Sequence, residues 1–168
     1  YCVVATIGMI VPTMRYYFPD VIRGASRAAH ELNCRLVVGA SNYSPQEELR
    51  QAERLIANGV DALMITPHAL DEALPLRGVL AEAGIPVVMV ERSVEDRHAG
   101  RLEWVRTDHA YGAEVAVRHL AEQGHTAIAL AARPAATAAG LDAGFRKAMS
   151  GIDDPAAVAL RRELSHPQ

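Results

Sequence analysis

The chain has 168 residues, enough for one ordinary domain with a real core. Half of it is apolar (50 %) and 22 % is charged, which excludes a disordered chain. The formal net charge of −3 gives no basic patch for these residues to hold nucleic acid, so a DNA partner would be met by another segment. Cys2 and Cys34 are the only cysteines and could form one disulfide, though so few suit a reduced compartment; they sit in no CxxC pattern, which gives metal or redox chemistry little support. Residues 1–11 are apolar but too short to span a bilayer, and they lack the basic start and cleavage site of a secretory signal.

The elements follow in order. Residues 7–11 (IGMIV) form a short apolar run that ends at Pro12, the mark of a buried strand. A helix begins near Pro19, with Val21, Ile22, Ala25, Ala28, Ala29 and Leu32 on one face, and Asn33 ends it. Residues 36–40 (LVVGA) are a second strand. Ser44-Pro45 followed by Glu47-Glu48 is a strong helix start: a cap, a first-turn proline, and acids at the positive helix end. Leu49, Ala52, Leu55 and Ile56 supply its buried stripe, Asn58-Gly59 stops it, and Glu47, Glu48 and Glu53 read as a solvated face.

Residues 62–65 (ALMI) are a third strand. A short helix runs to Ala83-Gly84, and residues 86–90 (PVVMV) are a fourth strand. Residues 92–102 read as a polar loop and residues 103–107 (EWVRT) as a short fifth strand. Asp108 can cap a helix over 109–123, with Ala113, Ala116, Val117 and Leu120 on its apolar side and Gly124 as its stop. Residues 126–130 (TAIAL) are another strand, followed by a helix carrying Phe145, Ala148 and Met149. Asp154-Pro155 opens a last helical stretch to about Leu164.

Strands that are apolar without strict alternation imply parallel sheets covered on both faces, an α/β fold. In such sheets ligands sit beyond the carboxyl ends of the strands. That directs attention to residues 12–18, 41–44, 66–69, 91–93, 108–109 and 132–137. Catalytic signatures are missing from the sequence: there is no HExxH, GxSxG or GxxxxGK, and Gly59, Gly84 and Gly124 are helix stops rather than a dinucleotide loop. The expectation is a protein that is not an enzyme and uses no cofactor or metal.

Six stretches resemble the LacI/GalR family of transcription regulators: TIGMIVPTM (6–14), FPDVIRGASRAAHELNCRLVVGASN (18–42), SPQEELRQAERLIANGVDALMITP (44–67), AGIPVVMVER (83–92), VRTDHAYGAEVAVRHLAEQGHTAIAL (105–130) and TAAGLDAGFRKAM (137–149). The resemblance implies a periplasmic-binding-protein-like fold of type I with two Rossmann-like lobes. Here the lobes are expected over 1–107 and 108–168, the second incomplete in this chain. It also implies a small polar, sugar-like effector in an interlobe cleft, a homodimer, a cytoplasmic location, no membrane partner, and operator DNA bound through an amino-terminal helix-turn-helix that this chain does not carry. The alternative is the periplasmic sugar-binding protein of an ABC importer, which is similar in fold.

The resemblance also selects site residues. Tyr17 and Phe18 match the family's loop aromatics, whose rings can stack on a sugar face; the alternative for Phe18 is core beneath the first helix. Ser41, Asn42 and Thr66 end strands, where they can bond a polyol or cap a turn. His68 reads as a donor or as a solvent-facing loop residue. Glu91-Arg92 stands where the family has Asp-Arg, as a ligand-binding pair or an internal ion pair. Asp108 matches a hinge aspartate or simply caps its helix, and His109 replaces the usual asparagine. Arg133 and Thr137 are further candidate contacts. The family pattern is broken twice: Arg15-Tyr16 replaces Asn-Pro, and Leu141 replaces an arginine that contacts the effector, so that Arg133 or Arg15 would supply the charge or the effector would be less polar.

Overall fold

The computed structural model describes residues 4–68, 74–92, 103–132, 135, 137–152 and 158–163. The chain divides into two compact units, Tyr1–Arg106 and Thr107–Gln168.

The first unit alternates strands and helices: β1 (Thr6–Val11), α1 (Phe18–Glu31), β2 (Arg35–Ala40), α2 (Pro45–Ala57), β3 (Ala62–Ile65), α3 (Leu74–Glu82), β4 (Val87–Val90) and β5 (Glu103–Val105). The five strands form one parallel sheet in the order β2-β1-β3-β4-β5. The chain moves outward from β1 to β2, then crosses back over β1 to β3. Right-handed crossovers therefore place α1 on one face and α2 and α3 on the other.

Side-chain alternation along β1 serves both faces. Met9 and Val11 pack with Phe18, Val21, Ile22 and Met64 on the α1 side. Ile10 packs with Ala52, Leu55, Leu63, Ile65, Leu76, Leu80 and Val87 on the α2–α3 side. Gly8 lies on that second face because a Cβ there would stand 3.0 Å from the Leu55 Cδ1.

Helix ends follow the local chemistry. The Ser44 hydroxyl accepts from the Glu47 amide at 3.3 Å, with Pro45 in the first turn. Asn33 ends α1 in the left-handed region at φ 54°, and Gly59 ends α2 at φ 75°.

The second unit comprises α4 (His109–Glu122), β6 (Ala127–Ala132), α5 (Ala138–Ser150) and β7 (Val158–Glu163), with β6 and β7 parallel. Val117, Ile128, Phe145, Ala148 and Met149 form its core. The expected terminal helix is corrected here: residues 158–163 are a strand. Asp154-Pro155, the expected helix start, lies outside the described residues. Six consecutive residue pairs match Ala127–Ala132 to Val158–Glu163, so pairing with a neighbouring strand overrides the weak local helical signal of VALRRE. Gly144 allows α4 and α5 to approach closely, because a Cβ there would run into the Ala110 backbone.

Candidate functional site

In the first unit the candidate residues collect where β1 to β4 end. The topological switch lies between β1 and β3, whose following loops depart to opposite faces. Tyr17 precedes α1, Ser41 and Asn42 follow β2, Thr66 follows β3, and Glu91 and Arg92 follow β4. These positions are adjacent because the strands are in parallel register: the Ser41 amide donates to the Val11 carbonyl at 2.9 Å and the Thr66 amide to the Ile10 carbonyl at 2.9 Å.

Tyr17 and Phe18 divide their roles. Phe18 is buried in the core beneath α1, whereas Tyr17 is half exposed. The rings stack with centroids 4.4 Å apart, so Phe18 backs the ring that faces outward. Burial, followed by the Glu91 carboxylate, pushes the Tyr17 hydroxyl up; Arg92 opposes this and Tyr43 adds to it. Tyr17 thus shares one electrostatic neighbourhood with Glu91, Arg92 and Tyr43 and remains a neutral hydrogen-bond donor at physiological pH.

Arg92 is committed to the loop framework. Its Nε donates to the Pro67 carbonyl at 3.0 Å and its Nη1 to the Glu91 carbonyl at 2.8 Å. Thr66 is fully buried, and its hydroxyl has no hydrogen-bond partner among the described residues. Asn42 is exposed. His68 exposes its ring, which stands edge-on to Tyr43 with centroids 6.4 Å apart.

The backbone here is unusual. Tyr16 (φ 61°), Asn42 (φ 52°), Tyr43 (φ 61°) and Glu91 (φ 58°) all occupy the left-handed region without being glycine. Each such conformation costs about 1–3 kcal/mol for a bulky residue. Strained corners of this kind gather at ligand clamps, and these four all lie in loops beyond strand ends.

Two residues of this region carry no functional signal in the sequence. Tyr43 lies in a polar loop. The sequence pattern puts Glu48 on a solvated helix face, and the structure corrects this: it is fully buried. Its Oε1 and Oε2 each accept from the His68 amide at 3.0 Å, and Oε1 accepts from the Ser41 hydroxyl at 3.4 Å. Burial pushes the Glu48 carboxyl above its ordinary range, opposed by the His68 amide, the His68 and Arg92 charges and Ser41. One signal was available: Glu48 stands one position before Leu49 and four before Ala52, at the border of the apolar stripe.

In the second unit Asp108 caps α4, its Oδ1 accepting from the Tyr111 amide at 2.9 Å. Thr137 occupies the cap position of α5 without a capping side-chain bond. A Cβ on Gly140 would lie 3.4 Å from the His109 Cβ, so the amino-terminal turns of α4 and α5 adjoin. That brings Asp108 and His109 beside the first turn of α5, which also carries the half-buried Leu141. Arg133 lies outside the described residues. Among the described residues no group of His, Cys, Asp and Glu could hold a metal ion, and no helix is long and apolar enough to cross a membrane.

Parallel strands of an α/β fold thus bring polar and aromatic residues together at their carboxyl ends, the place where ligands of open α/β sheets bind. The chain belongs to the periplasmic binding protein domain family, whose model matches residues 7–160. The ribose operon repressor of Escherichia coli is 26% identical over 181 residues, covering 96% of this chain and 53% of that protein. The ribose import binding protein of Bacillus subtilis is 28% identical over 123 residues, covering 70% of this chain and 38% of that protein. Among solved structures, the Cra transcriptional dual regulator of Pseudomonas putida in complex with fructose 1-phosphate superposes with a TM-score of 0.76 at 19% identity, covering 94% of this chain and 57% of that one. These similarities bear out the resemblance to LacI/GalR regulators and the α/β fold expected from it. The chain spans about half the length of the ribose operon repressor it matches.

Proposed function

We propose that this chain is the effector-binding and dimerisation core of a cytoplasmic LacI-type transcription regulator that senses a small, sugar-like molecule. The observation that carries this reading is the convergence of Tyr17, Asn42, Thr66, Glu91 and Arg92 at the carboxyl ends of β1 to β4. A tyrosine ring offers a face to a sugar, and carboxylate, hydroxyl and amide groups match a polyol's donors and acceptors. In the second unit Asp108, Thr137 and Arg133 are proposed as the matching contacts. The reading includes no catalytic step and no cofactor. Leu141, in place of the arginine that the family resemblance leads one to expect, favours an effector with fewer anionic groups than a sugar phosphate.

Control would be allosteric: a ligand that binds one arrangement of the core better than another shifts their populations and with them operator affinity. Operator DNA would be met by a helix-turn-helix outside this chain, in keeping with the net charge of −3 here. The test is a titration of the full-length protein with D-ribose, D-allose and fructose 1-phosphate, followed by operator binding with and without any ligand found. A ligand-dependent change in operator affinity is expected; unchanged affinity at saturation refutes the regulator reading.

The similarity to a ribose import binding protein supports a second reading, solute capture for an importer. The same ligand would then bind without altering any DNA affinity, and the full-length gene product would carry an export signal instead of DNA-binding helices.

A further inference from the structure

The buried carboxylate of Glu48 is a feature that the proposed function does not use. It lies on α2, yet it reaches neighbouring strand-end loops. It accepts the His68 amide after β3 through both oxygens and the Ser41 hydroxyl after β2 through Oε1. The β3 loop then passes the restraint onward, since the Pro67 carbonyl accepts from the Arg92 Nε after β4 at 3.0 Å. The same strand-end loops hold the orphaned Thr66 hydroxyl and the strained Tyr43 and Glu91.

We propose that Glu48 is a positioning residue of the ligand site: its carboxylate fixes the His68 amide and the Ser41 hydroxyl, and so sets the strand-end corner that carries Thr66 and is tied to Arg92. The inference rests on the reading that the strand-end loops bind a small molecule. A buried carboxylate is costly, and an apolar residue at that position would extend the stripe of α2. What the carboxylate supplies in exchange is an acceptor for groups on two different loops. An alanine there would leave the buried Ser41 hydroxyl and the part-buried His68 amide without that acceptor. The charged and titratable groups facing it are His68 after β3 and Arg92 after β4. Ser41 adds a neutral donor.

The experiment uses the full-length protein and its Glu48→Ala and Glu48→Gln variants, with the exposed Glu53→Gln on α2 as control. Each is titrated with D-ribose, D-allose and fructose 1-phosphate, and hydrogen exchange is measured at the His68 amide. Expected is a loss of affinity of about tenfold or more for Glu48→Ala, an intermediate loss for Glu48→Gln, and none for the control. Affinity of the unaltered protein should fall on acidification as Glu48 protonates, and Glu48→Gln should be flat over that range. His68 exchange should accelerate in the alanine variant while the rest of α2 keeps its protection. Unchanged affinity in Glu48→Ala overturns the proposal. If the unaltered protein binds none of the three sugars, the sugar reading fails by itself, and His68 exchange decides about Glu48: faster in the variants supports it, unchanged refutes it. Should Glu48→Ala not fold, Glu48→Gln decides, and His68 protection identical to the unaltered protein overturns the proposal.

Discussion

Among the described residues each unit buries one glutamate, and the two are handled in opposite ways. Glu48 in the first unit meets a backbone amide and a hydroxyl, and burial pushes its carboxyl up. Glu114 in the second unit is almost as buried but meets two cations: Lys147 from α5 at 2.9 Å, and Arg118 one turn along α4. The Lys147 hydrogen bond, against the effect of burial and with help from Arg118, holds its carboxyl below the ordinary range. Neutral donors can orient a carboxylate without matching its charge, whereas cations stabilise the charge itself. Glu48 is thus built into the geometry of strand-end loops, and Glu114 into the joint between two helices.

The comparison can be broken most forcefully at that helix joint. Gly144→Val would drive side-chain atoms into the Ala110 backbone and separate α4 from α5. A loss of about 3 kcal/mol in denaturant unfolding is expected, with the first unit's sheet unaffected in hydrogen exchange. Next in size, Glu48→Ala should cost about 1–3 kcal/mol by stranding the His68 amide, a loss that thermal unfolding at fixed pH would read out. A loss below a few tenths would mean that water takes over the carboxylate's role.

Asp108→Ala removes an amino-terminal cap and should cost about 1 kcal/mol, largely restored by asparagine. If it also abolishes ligand binding while asparagine does not rescue it, Asp108 is a contact as well as a cap.

The smallest effect is the most diagnostic. A carboxyl whose folded pKa is raised costs stability as pH rises from the ordinary carboxylate range through the raised value. Glu48→Gln should therefore gain on the unaltered protein as pH climbs through that window. Glu114 has the opposite sign: its stabilisation is present above the ordinary range and is lost as pH falls through its depressed value. Glu114→Gln should therefore lose ground as pH rises there. Unfolding free energies across the acid range would separate the slopes, and slopes of the same sign would remove the distinction drawn between the two sites.

Up to α5 the order of elements is legible from residue order alone, because each signal is local. Apolar runs bounded by Pro12 or Gly84, the Ser44-Pro45 start and the Gly59 and Gly124 stops depend on backbone chemistry that acts within a few residues. The strand-end rule then points to the loops 12–18, 41–44, 66–69 and 91–93, since parallel strands bring their carboxyl ends to one edge, and within them the family resemblance selects residues such as Tyr17 and Glu91.

What the tertiary structure alone decided are matters of partnership. VALRRE became a strand because β6 was available to pair with it along six residues. Phe18 went to the core and Tyr17 to the surface, although they are neighbours in one aromatic pair. Glu48 became the buried anchor while Glu47, beside it, pairs with Arg50 at the surface. Helical periodicity tells which residues share a face, but whether a residue at the border of that face is covered depends on which loop crosses above it. For Glu48 that loop carries His68, twenty residues further along the chain.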